Sequence, residues 1–128
     1  MLYLKIYGAM ALTFFAIDMV WLGWVGKQIY QKQIGQWLSP QPDWVAAGLF
    51  YLLFLAGMLY FAVMPSLEGS GTDALIRGAA FGLITYATYE LTNKAVHVDW
   101  PWTIVWIDIL WGMVLSGLTT WVGWRIGK

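Results

Sequence analysis

Apolar residues in this chain come in long unbroken runs, without the alternation of a half-buried strand. Four runs are long enough to cross a hydrocarbon core as a helix, which takes roughly 20 residues: 2–25, 45–64, 74–96 and 101–124. A membrane β-barrel would need alternating segments instead. Between the first two runs lies "KQIYQKQIGQWLSPQP", where Tyr30, Ile34, Trp37 and Leu38 share one side of a helix and Lys27, Gln28, Gln31 and Lys32 face elsewhere. The pattern predicts an all-α integral membrane four-helix bundle of up-down topology. It forms one domain over residues 1–128, with a short interfacial helix between spans one and two.

Breaks in the pattern place the ends. Ser39, Pro40 and Pro42 close the short helix, because proline lacks the N–H that a helix interior needs. Pro65 is expected to stop the second span, and Thr72 or Asp73 to cap the third. Gly78-Ala79-Ala80-Phe81-Gly82 presents small residues four apart, a surface that another helix backbone can approach closely.

Composition sharpens the class. Only 11% of residues are charged, against about 25% in soluble domains. With no cysteine, the inventory excludes disulfides, thiolate nucleophiles, iron–sulfur clusters and cysteine-ligated zinc, and no cofactor is expected. A net charge of zero points away from nucleic acid. The first run is too long for a signal h-region of about 7 to 15 residues, so it reads as a permanent helix. Lys5, Arg77, Arg125 and Lys128 fall on the side of the termini, against Lys27, Lys32 and Lys94 on the other, which places both termini in the cytoplasm. Trp24, Trp37, Trp44, Trp100 and Trp102 read as one interfacial belt, and Trp121 and Trp124 as the other. Membrane lipids are the expected partners, and pairing with a second copy stays open.

Asp18, Glu90 and Asp108 lie inside apolar runs, where an ionisable group costs about 2.5 to 3.5 kcal/mol at a helix centre and is functional by default. Each stands six or seven residues from its span boundary, roughly 10 Å deep at 1.5 Å per residue. In an up-down arrangement all three share one depth. Asp18 with Trp21 and Asp108 with Trp111 repeat Asp-x-x-Trp on helices of opposite direction, so the tryptophans are expected on opposite sides of the acid layer, with Trp21 nearer the surface. Tyr86, Glu90, Asn93 and His97 form a polar stripe at steps of four, three and four, the wall of a pocket opening at one boundary. Tyr51 lies at the matching depth on the second span, beside Phe50 and Phe54. Blander roles stand beside these. Lys94, four residues after Glu90, can neutralise it as a helical pair, the aspartates can act as hydrogen-bonded glue between helices, and His97 falls at the surface.

The segments "IDMVWLG", "AAGLFYLLFLAGMLYFAVMP", "GAAFGLITYATYELTN" and "VDWPWTIVWIDILWG" resemble the small bacterial membrane proteins grouped as domain of unknown function twenty-one seventy-seven. The resemblance runs over nearly the whole chain. It implies a polytopic protein of the bacterial inner membrane, supplying topology without chemistry. It also implies that aspartate is usual where this chain has Glu90, so the acid is kept with a reach longer by one methylene.

Three carboxylates at one depth cannot all stay ionised unless a proton or a cation is held among them. The leading expectation is binding or modification of a lipid or isoprenoid-like molecule, with Asp18, Glu90 and Asp108 as acid–base groups. Trp21, Tyr51, Tyr86, Asn93 and Trp111 would shape and orient the ligand, and no metal is expected. A small proton-coupled transporter of a cationic substrate is the alternative. A structural role, with Gly78 and Gly82 as a docking surface, is a third.

Overall fold

The computed structural model describes all 128 residues, and every regular element is a helix. Five helices follow in order: α1 Leu2–Val25, α2 Lys27–Ile34, α3 Trp44–Ser66, α4 Gly71–Val96 and α5 Trp102–Gly127. A 3₁₀ turn, Gly35–Trp37, closes α2. Of these, α1, α3 and α5 are long and apolar enough to cross a membrane. α4 equals α5 in length at 26 residues, but carries Asp73, Arg77, Glu90 and Lys94 and is less apolar than the other three.

Local chemistry sets the boundaries. The Asp43 carboxylate caps α3, accepting from the Val45 and Ala46 N–H groups at 3.1 Å each. α4 begins with a reciprocal cap in which Asp73 N–H donates to Ser70 Oγ at 3.2 Å and Ser70 N–H donates to Asp73 Oδ2 at 3.0 Å. Ser70 is therefore the capping residue, and Asp73 is its partner three positions on. α3 runs one residue past Pro65, because a π-helical turn at Leu59–Val63 precedes it and absorbs the backbone bond that proline cannot make. A second π turn, Trp21–Val25, ends α1, with Gly26 N–H donating to the Trp21 carbonyl at 2.5 Å. A side chain at Gly26 would strike the Trp21 ring, so only glycine lets the chain turn here into α2.

Between membrane helices the hydrophobic effect gives no net adhesion, so close packing and polar contacts must hold them together. α4 and α5 supply the closest packing, running antiparallel: Gly78 faces Ser116 and Thr120, and Gly82 faces Gly112. The small-residue surface of α4 is thus occupied by the chain's own α5. It is no free docking surface, which removes the support that Gly78 and Gly82 lent to an assembly role. α1 and α3 complete this end with Ile6, Met10, Phe14, Leu55, Met58, Ala62 and Val63 around Leu115. The outer surface stays apolar: only 28 of 128 residues are buried, and Leu12, Leu53 and Phe61 are 65% exposed or more. Such a surface suits lipid rather than water.

Candidate functional site

The site forms where the C-terminal part of α1, the start of α3, the C-terminal part of α4 and the N-terminal part of α5 meet beneath α2. Asp18, Glu90 and Asp108, from α1, α4 and α5, are 5%, 1% and 8% exposed. All three line one cavity of about 380 Å³, together with Trp21, Tyr51, Tyr86, Tyr89 and Trp111. The three acids that residue counting places at one depth thus share one cavity wall. Of the ligand-contacting residues expected from sequence, only Asn93 is not part of the cavity wall. It sits a turn further along, half-buried, where its carbonyl accepts from the His97 backbone N–H at 2.9 Å.

Each carboxyl has its own donors. The Trp111 indole N–H donates to Asp18 Oδ1 at 3.2 Å, and the Tyr51 hydroxyl reaches Asp18 Oδ2 at a long 3.5 Å. The Trp100 indole donates to Glu90 Oε1 at 3.0 Å. The Tyr30 hydroxyl donates to Asp108 Oδ1 at 2.7 Å while accepting from the Trp21 indole at 2.9 Å, a relay joining α1, α2 and α5. Glu90 and Asp108 neighbour one another. The two carboxyls share a side-chain hydrogen bond with each other, and the tyrosine and tryptophan donors reach only Asp108 Oδ1 and Glu90 Oε1. Lys94 does not neutralise Glu90: its ammonium lies over the Trp102 ring, 5.2 Å from the centroid.

The two tryptophans of the repeated Asp-x-x-Trp pattern do not lie on opposite sides of the acid layer. Trp21 and Trp111 stack, with centroids 4.5 Å apart and planes 12° from parallel. Helical side chains lean toward their own N-terminus. On antiparallel helices the two rings therefore lean toward each other and meet at the acids.

Tyr30, Tyr89 and Trp100 join the site without being expected there from the sequence. Tyr30 was read only as one side of an amphipathic helix, although its bond to Asp108 carries α2 onto the site. Trp100 was read as a belt residue, yet it is 3% exposed and packs with Ile34, Ile104, Val105 and Ile109. α2 thus covers the cavity through Tyr30 and Ile34, joined by Leu38 just past the 3₁₀ turn, with Lys27 as the one cationic wall residue. Outside the spans, burial first and the Asp108 carboxylate second push the Tyr30 phenol above its ordinary pKa. His97 lies edge-on to Trp37, 4.6 Å between centroids, away from the acids.

An all-helical membrane protein with three buried carboxyls around one cavity is the class that this fold and site define. The chain belongs to the family described as Predicted membrane protein (DUF2177), whose model matches residues 3–125. Neither the curated proteins nor the solved structures compared with the chain include a match.

Proposed function

We propose that this protein crosses the bacterial inner membrane as a four-helix, up-down bundle and holds a lipid- or isoprenoid-like amphiphile with its head group among Asp18, Glu90 and Asp108. α4 would be the fourth span, since its acid turns inward, and α2 would lie along the interface as a cover. One observation carries the reading: Asp18, Glu90 and Asp108, each nine-tenths or more buried, line one cavity with a single cationic side chain, Lys27. Carboxylates gathered this closely repel one another unless a proton or a cation is held among them, so a head group that donates hydrogen bonds is favoured there. Acid–base work on that head group falls to Glu90 and Asp108. Asp18, with both oxygens engaged, serves better to position the Trp111 side of the wall.

Proton-coupled transport has less support, because the opposite end of the helices is filled by Phe14, Leu55, Met58 and Leu115. The test is mass spectrometry of the molecules retained by wild-type protein, Glu90→Gln and Asp108→Asn. Glu90→Gln keeps an oxygen for Trp100, so it should stay folded, with a melting temperature close to wild type, and lose one specific class of retained molecule. Identical, generic lipid sets on all three proteins would sink the reading.

A further inference from the structure

Beside the acid cavity, on the α3–α4 side, lies a second cavity of about 360 Å³, lined by Phe50, Phe54, Thr85, Tyr86, Tyr89 and Asp108. It shares Tyr86, Tyr89 and Asp108 with the first, so Asp108 borders both. Phe50 and Tyr89 are 52% and 58% exposed at its mouth, and Phe54, 6% exposed, closes its base. The Thr85 hydroxyl donates to the Phe81 carbonyl of its own helix at 2.8 Å, which leaves its methyl group as lining. Apart from Asp108, which brings one carboxyl to its wall, this is a lipid-facing apolar groove. Two further surface grooves, one at Ala16, Ile17 and Val20, the other at Leu75, Ala79 and Gly117, contain no ionisable group.

We propose that this groove seats the hydrocarbon chain of a cationic long-chain amine, which enters sideways from the bilayer between α3 and α4 and brings its ammonium to Asp108 and Glu90. The proposal rests on the head-group reading above and adds the head-group charge, the seat of the chain and the route of entry. Three arguments support it. The groove and the acid cavity share Tyr86, Tyr89 and Asp108 as lining, so a molecule lying across Asp108 would occupy both without crossing the covered end. Charge favours a cation: three carboxyls face a single lysine, Lys27, and an ammonium beside Glu90 and Asp108 would hold them ionised. Each volume lies within the range of about 300 to 1,000 Å³ usual for ligand pockets. A fatty acid would instead bring a fourth carboxylate.

The experiment uses wild-type protein in bilayer nanodiscs, irradiated with a long-chain primary amine carrying a mid-chain diazirine and then mapped by peptide mass spectrometry. Label should concentrate on Phe50, Phe54, Thr85 and Tyr89, about tenfold above Leu12 and Leu118, equivalent to about 1.4 kcal/mol of preference. Unlabelled amine should displace it, and a fatty acid of equal length should not. Thr85→Trp fills the groove and should abolish the labelling, while Thr85→Val, matched in shape, should keep it. Label spread evenly over exposed apolar residues, label gathered at Ala16, Ile17 and Val20, or equal displacement by the fatty acid would each overturn the proposal. If the label misses the groove but Glu90→Gln and Asp108→Asn still strip the retained molecule, only the seat of the chain is wrong. If neither substitution changes retention, the head-group reading has failed as well.

Discussion

Where Gly78 and Gly82 of α4 face Ser116, Thr120 and Gly112 of α5, no large side chain separates the two backbones. Further along the same pair of helices, Glu90 and Asp108 are surrounded by Tyr86, Tyr89, Trp100 and Tyr30, and a cavity opens. Residue size accounts for the difference. Glycine and serine let helices touch, so dispersion acts at short range. Aromatic rings keep them apart and leave space bounded by polar groups. Gly112 marks the changeover, because a side chain there would strike the Tyr86 ring that walls both cavities. Since lipid gives helices no hydrophobic reason to associate, the packed end supplies the adhesion that lets the other end stay open.

Filling the packed end should have the largest effect. In Gly82→Leu the new side chain meets the Gly112 backbone, which cannot yield without separating α4 from α5. Overpacking of this kind costs about 3 kcal/mol or more where the backbone must move. Loss of the monodisperse peak after mild heating in detergent, followed by size-exclusion chromatography, is the expected result. Wild-type heat resistance would mean that the seam is not what holds the molecule together.

The sequence made one half of this contrast more legible than the other. The common depth of Asp18, Glu90 and Asp108 follows from span boundaries and a rise of 1.5 Å per residue, both visible in apolar runs. Gly78 and Gly82 announced a close contact but not its partner, because Ser116, Thr120 and Gly112 look unremarkable within a long apolar run. Tyr30 was hidden for another reason: its place at Asp108 depends on the turn at Gly26, a trajectory that helical periodicity does not encode. Trp100 was masked by the general habit of tryptophan at membrane boundaries. The Trp21–Trp111 stack required the lean of side chains as well as their spacing.

At the open end, Tyr30→Phe is the sharpest probe, because it keeps the ring and removes one hydroxyl that both donates to Asp108 and accepts from Trp21. Loss of the pair should destabilise by about 2 kcal/mol, toward the upper range because one partner is a carboxylate. Amide hydrogen exchange over residues 27–34 should accelerate more than over 71–82. The phenol also predicts a pH dependence. Its folded pKa is raised above the ordinary 10.0, so the folded state holds this proton more tightly than the unfolded chain. The contribution is fully present below pH 10.0 and is lost as pH rises further, because only the unfolded chain ionises at first. Tyr30→Phe should flatten that alkaline fall relative to wild type. Equal slopes in the two proteins would remove Tyr30 from the contacts that hold α2 down.

The smallest predicted change has the opposite sign and belongs to the packed end. Ser116, Thr119 and Thr120 are fully buried, and none of their hydroxyls has a hydrogen-bond partner. If adhesion there is steric, the Thr119 hydroxyl only adds a cost, and Thr119→Val, nearly identical in shape, should raise stability by about 1 kcal/mol. A small upward shift in melting temperature, with unchanged retention of bound molecules, is the expected readout. Destabilisation would mean that the hydroxyl binds water or a backbone carbonyl, and the packed end would then depend on polar contacts as the acid end does. The two ends would differ in cavity size alone, and the division between an adhesive half and a ligand-holding half would have to be given up.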